Sequence, residues 1–77
     1  MISGVVVRME LQPGLATALE RDLRERLRQS IQEAWYHDQF RLIPDGLRTG
    51  AILAAYPALA AQKKTLGALR AAMKEHA

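Results

Sequence analysis

The longest uninterrupted helical pattern in this sequence runs from Leu15 to about Tyr36, and any fold of the chain must pack around it. Apolar residues recur there every four positions, which places them on one face of an α-helix. These residues are Leu15, Leu19, Leu23, Leu27 and Ile31. No Gly or Pro interrupts the segment, and most of its residues are good helix formers. At ~1.5 Å per residue the predicted helix is roughly 33 Å long, about the width of a small domain.

The N-terminal segment has the pattern of a β-strand. From Ser3 to Leu11 alternate residues are apolar and would share one face of the strand. These residues are Val5, Val7, Met9 and Leu11. Pro13 and Gly14 then end the predicted strand, because Pro cannot donate to a ladder and Gly permits a sharp turn.

Two further strands are predicted between the long helix and a second helix. Residues 40–43 (FRLI) form a short strand candidate, and residues 44–46 (PDG) give a strong turn signal. The apolar run 50–56 (GAILAAY) is either a strand or a helix. Its length and its place after a turn favour a strand, whereas its alanines favour a helix. Pro57 suits the first residue of a second helix, where its missing N–H costs nothing.

The element order β-α-β-β-α predicts an α+β fold, with a small three-stranded sheet and two helices packed on one of its faces. We expect one domain over residues 1–77 with a modest core, since a chain of this size buries only ~60–65% of its unfolded surface. Homo-oligomerisation would enlarge such a core. The uncharged run 50–61 is well short of the ~20 residues of a membrane span, and no targeting signal is visible, so a cytoplasmic protein is expected.

The net charge of +3 arises entirely in the C-terminal part of the chain. Residues 1–56 hold seven basic and seven acidic side chains, whereas residues 57–77 hold four basic side chains against Glu75 alone. The four basic residues are Lys63, Lys64, Arg70 and Lys74. Three of them, all except Lys64, project within ~40° of one another on the second helix. They predict a binding site for DNA or a protein partner; the alternative is that they complement the helix dipole and cover apolar surface.

A second basic group lies on the long helix. Its members, Arg21, Arg24 and Arg28, fall within ~60° of one another on the outer side. This ridge would suit phosphate groups, but acidic residues at a spacing of four favour a solvated helix surface. The expected pairs are Glu20 with Arg24, Arg21 with Glu25, and Asp22 with Arg26.

No residue pattern predicts catalysis. Glu33, His37 and Asp38 are candidates for a metal or acid–base site. Glu33 and His37 are four residues apart, but a third ligand at a recognisable spacing is missing, so a polar cluster at the end of a helix is favoured. No serine or threonine has partners that would activate it as a nucleophile. We therefore expect a non-enzymatic protein without catalytic residues, metal or cofactor.

The predicted order of elements resembles that of the DinI-like family of small bacterial and phage proteins. VVVRMEL resembles the family's first strand, FRLI and GAILAA its second and third strands, and AAQKKTLGALRAAMKE its second helix. The resemblance implies a modulator of the RecA recombinase filament in the DNA-damage (SOS) response. The family's second helix is typically acidic, whereas Lys63, Lys64, Arg70 and Lys74 occupy the matching surface here. Two alternatives stay open: a basic nucleic-acid-binding module, and a phage-type inhibitor that binds an acidic protein surface.

Overall fold

The computed structural model describes residues 4–76, and these residues form three helices. Helix α1 spans Pro13–Trp35, α2 spans Asp45–Ala55 and α3 spans Pro57–His76. The described chain is flat, with principal extents of 42 × 35 × 17 Å. No strand forms within residues 4–76, so the predicted α+β fold with a three-stranded sheet is wrong. The first residue of the first predicted strand, Ser3, lies outside the described residues.

Helix α1 confirms the predicted long helix and begins two residues earlier than expected. Gln12 is extended, with φ −58° and ψ 148°, and its carbonyl accepts the first helical hydrogen bond from the N–H of Ala16 at 2.9 Å. Pro13 therefore occupies the first helical position, where no N–H is needed. The buried residues of this helix, Ala16, Leu27 and Ala34, belong to its apolar face.

Residues 4–11 have the sequence pattern of a strand but no second strand to pair with among residues 4–76. The segment runs up to α1 outside any helix or ladder, and it is exposed as far as Glu10. A strand is stable only when a neighbour accepts and donates its backbone hydrogen bonds. Since the two other predicted strands are turns and helix, residues 4–76 offer no such neighbour.

The predicted strand 40–43 is a series of turns. Phe40 donates its N–H to the carbonyl of His37 at 2.9 Å, and Ile43 donates to that of Phe40 at 3.0 Å. Hydrogen bonds between residues three apart close tight turns and are incompatible with an extended strand. The side chain of Phe40 is nevertheless buried, so the turn segment, residues 36–43, contributes to the core without forming a sheet.

The run 50–56 is helical up to Ala55, so the strand reading is wrong and the helical reading is confirmed. Helix α2 already begins at Asp45, inside the predicted turn 44–46. An extended Pro44 before it and an acidic residue in its first turn are favourable features of a helix start. The helix ends because Pro57 disfavours helical geometry at Tyr56, which has φ −123° and ψ 90°.

Helix α3 begins at Pro57, as predicted, and packs antiparallel to α1. Two observations fix this direction. Leu59, near the start of α3, lies in the same hydrophobic cluster as Ile31, near the end of α1. Arg70, in the second half of α3, contacts Glu20 in the first half of α1.

The hydrophobic core lies where α2 meets α1 and α3. Ala34, Phe40 and Ile52 are buried together, and Ile52 has no exposed surface. Half-buried Trp35 and Leu59 pack against them. Each of the three helices, together with the turn segment, therefore supplies part of one core.

No helix in the part of the chain that the structure describes is both long and apolar enough to span a membrane.

Candidate functional site

A hydrogen-bonded ion pair joins α1 to α3. The Nε of Arg70 donates to Oε1 of Glu20 at 3.0 Å, and Nη1 of Arg24 lies 3.9 Å from the same oxygen. The Glu20 side chain is only 13% exposed, whereas those of Arg24 and Arg70 are about half exposed. Glu20 is thus an acidic group between the two helices, with a basic group from each helix beside it.

This ion pair shows that the two predicted basic groups lie on the same side of the helix pair. At 100° per residue, Glu20 and Arg24 are displaced from the buried Leu27 by ~20° and ~60° in one rotational sense. Arg70 and Lys63 are displaced from the buried Leu66 by ~40° and ~60° in the same sense. When two antiparallel helices face each other, residues rotated in the same sense from the contact line lie on the same side of the helix pair. The Arg70–Glu20 contact lies on that side.

We call this surface the basic face. Its six basic residues are Arg21, Arg24, Arg28, Lys63, Arg70 and Lys74. All six are exposed. The sequence predicted two separate basic groups, and the fold brings them together.

The basic face extends along much of the helix pair. Because Glu20 meets Arg70 and the helices run in opposite directions, Lys63 lies at a level between Arg24 and Arg28. Lys74 lies about four residues beyond Arg70, towards the start of α1. From the level of Lys74 to that of Arg28 the distance is about 18 Å at ~1.5 Å per residue. That length is close to half a turn of B-DNA, which has a pitch of about 34 Å.

Formal charge is concentrated on this side of the protein. The six basic residues are accompanied by Glu20 and, at the edge of the face, by Glu25, which leaves a charge of +4. The rest of the chain holds five basic and six acidic residues, so its charge is −1. The net charge of +3 therefore understates how basic this face is.

Only part of the predicted neutralisation of α1 is observed. The pairs Asp22–Arg26, at 2.8 Å, and Glu20–Arg24 form as expected. Glu25, however, binds Arg28 at 2.6 Å, and the expected Arg21–Glu25 pair is not among the ion pairs of residues 4–76. The hydrogen bond from Arg28 lowers the pKa of Glu25 below its ordinary value, and the same bond raises the pKa of Arg28.

Lys64 does not belong to the basic face. It lies ~100° around α3 from Lys63 and points to the outer side of the helix, where it is exposed. The predicted site of Lys63, Lys64, Arg70 and Lys74 is thus divided: three residues lie on the face and one lies off it. Lys64 is for this reason a useful control position.

The polar cluster at the end of α1 has no metal-binding arrangement. Glu33, His37 and Asp38 are all exposed, and Asp38 lies 3.9 Å from Arg41. Within residues 4–76, no group of three or more His, Cys, Asp or Glu side chains is close enough together to hold a metal ion.

The sequence pattern did not identify Glu20 as the residue that organises the site. The spacing of four residues predicts only that Glu20 pairs with Arg24 on the outer side of α1. A signal for its second role was present: Glu20 projects only ~20° from Leu27, within the apolar stripe itself. An acidic side chain buried in such a stripe needs a basic partner, and the helix packed against the stripe is one source of it.

Comparisons of the chain with protein-family models, curated proteins and solved structures found no match.

Proposed function

We propose that this protein is a non-enzymatic, cytoplasmic regulatory protein that binds nucleic acid through phosphate contacts on the basic face. The observation that supports the proposal is the Arg70–Glu20 contact, which places basic residues of α1 and α3 on one side. A surface of this charge favours phosphate binding, because each phosphate that a basic side chain neutralises releases counterions. The mode of binding would then depend little on base sequence.

The aromatic residues support phosphate contacts over base stacking. The ring of Trp35 lies near the end of the basic face, but the guanidinium of Arg48 stacks over it, 4.8 Å from the ring centroid. Phe40 is buried and packs edge-on against Tyr56, with ring centroids 6.1 Å apart. Tyr36 is exposed, but single-strand platforms present several open aromatic faces to successive bases, and one exposed tyrosine does not form such a series.

The recombinase-filament hypothesis stays an untested prediction. It depended on the resemblance to DinI-like proteins, which in turn depended on a β-α-β-β-α order that residues 4–76 do not have. Direct DNA binding depends only on the position of the basic residues, so it is the better supported proposal. An acidic protein surface would meet the same face, and we treat it as an outcome of the test.

We expect the charge-reversal variant Lys63→Glu with Lys74→Glu to bind duplex DNA about tenfold more weakly, or worse, than the unmodified chain. Both side chains are exposed, so the helices should remain folded. The slope of log affinity against log salt should also fall by about 2, one for each lost phosphate contact. Fluorescence anisotropy of a labelled duplex between about 50 and 200 mM salt measures both quantities.

The matched control is Arg41→Glu with Lys64→Glu, which changes the net charge equally but alters residues off the basic face. It should retain most of the affinity. Equal weakening by both variants would show that net charge alone drives binding, and would contradict binding by the basic face.

Repeating the titration with single-stranded DNA, bare and recombinase-coated, separates the hypotheses. Binding only to coated strands, if it survives moderate salt, would support the recombinase as partner. No binding to any of these would favour an acidic protein surface.

A further inference from the structure

The N-terminal segment leaves a strongly apolar stretch in solvent. Val7 and Met9 are 75% and 69% exposed, and Val5 and Val6 before them are 92% and 79% exposed. β-branched residues in an alternating pattern favour a strand, and a single chain with no second strand in residues 4–76 cannot pair it. Such an unpaired strand is a template for pairing with another chain.

The folded chain also exposes more surface than a compact monomer. Its accessible area is 6497 Å², whereas a monomeric protein of 8.6 kDa exposes about 4,700 Å². Its radius of gyration is 14.8 Å, compared with about 11.5 Å for a compact domain of this length. The excess area of about 1,800 Å² is roughly twice what one partner buries in a standard interface, about 800 Å².

The charges of the segment favour a second copy of this chain as the partner. In an antiparallel pair centred on Met9, Arg8 lies opposite the partner's Glu10, and the two-fold axis repeats this contact. Val7 lies opposite the partner's Leu11 in the same register. A pair centred on Arg8 would instead place two arginines opposite each other, which is destabilising.

The surroundings of the segment provide room for a second strand. A mostly apolar cleft of about 670 Å³ lies between the segment and the adjoining ends of α1 and α3. Its lining includes Met9, Leu11, Leu69 and Met73. In the register centred on Met9, the partner's Val7 lies beside Leu11 and thus at this cleft.

We infer that the protein forms a two-fold homodimer in which residues 7–11 of two copies pair as a short antiparallel ribbon centred on Met9. Each strand supplies the hydrogen-bonding partner that the other lacks. The ribbon also covers Val7 and Met9, which a monomer exposes. This inference does not depend on the proposed DNA binding.

A single introduced cysteine tests the register, since the chain has no cysteine of its own. In the proposed ribbon the two Met9 Cα atoms are about 4.5–5.5 Å apart, within the range for a disulfide of about 4.4–6.8 Å. We expect Met9→Cys to form a disulfide-linked dimer under mild oxidation. Val6→Cys is the matched control: it is similarly exposed but lies about 20 Å from its own copy in this register.

A charge exchange tests the same register without a cross-link. Arg8→Glu should weaken the dimer about tenfold in sedimentation equilibrium, because like charges then face each other twice. Arg8→Glu with Glu10→Arg should restore it. Both positions lie outside the three helices, so circular dichroism should stay unchanged. A chain that is monomeric at all concentrations, equal cross-linking of Val6→Cys, or no rescue by the exchange would overturn the inference.

Discussion

Ile52→Ala should destabilise the protein by about 3 kcal/mol, because the removed atoms come from a side chain with no exposed surface. A chain of 77 residues has a total stability of about 4–11 kcal/mol, so this is a large fraction of it. For a domain of this size, the loss corresponds to a fall in Tm of roughly 12–24 °C. Urea and thermal unfolding followed by circular dichroism measure the change.

Leu42→Ala is the control for this prediction. Leu42 is 88% exposed in the turn segment, so its truncation should alter stability by no more than about 0.5 kcal/mol. If the two variants were equally stable, Ile52 would not lie in the core. The interface of α2 with α1 and α3 would then be wrong as well.

Arg48→Met should cost about 2–3 kcal/mol, because Arg48 holds the turn segment against both neighbouring helices. Its guanidinium donates to the carbonyl of Ile43 at 2.7 Å and to that of Arg41 at 3.1 Å. It also donates to the carbonyl of Trp35, near the end of α1, at 3.4 Å. Met retains the packing of the aliphatic stem but has no donor, so these carbonyls lose their partner.

Arg48→Lys separates shape from charge. A lysine keeps the positive charge, but its compact ammonium cannot reach several carbonyls at once as a planar guanidinium does. We therefore expect this variant to lose most of the same stability, whereas Arg41→Met should lose little, since Arg41 is exposed. Unfolding in urea gives the three values, and a stable Arg48→Lys would show that charge alone is sufficient.

The two long helices were predictable from sequence because their apolar residues repeat over many turns. In α1, residues as far apart as Ala16 and Ala34 are buried on one face, so the pattern outweighs any local ambiguity. In α3, Pro57 marks the first residue of the helix, as predicted. Neither prediction required knowledge of the neighbouring elements.

The middle of the chain was not predictable in the same way. Pro44, Asp45 and Gly46 suit a turn, but a proline followed by an acidic residue also suits the start of a helix. The run after them is too short for periodicity to distinguish a strand from a buried helix. The burial of Ile52 against α1 and α3 stabilises the helix, and the local sequence does not contain that contact.

The first segment shows a different limit of sequence reasoning. Its alternation of apolar residues is that of a strand, yet a strand also needs a neighbour, and alternation says nothing about one. The basic face has the same limit. The sequence predicts Arg24 and Lys63 as basic residues of their own helices, but it does not show that they share a surface. Only the packing of α1 on α3, seen in the Glu20–Arg70 contact, places them on one surface.

An NMR titration with duplex DNA shows whether one surface, built from α1 and α3 together, binds nucleic acid. We predict that amide signals shift around Arg24 and Arg28 in α1 and around Lys63 and Arg70 in α3. The amides of Asp22 and Thr65, whose side chains project away from the basic face, should shift little. Shifts confined to one helix, or strongest on the opposite side, would contradict DNA binding by the basic face.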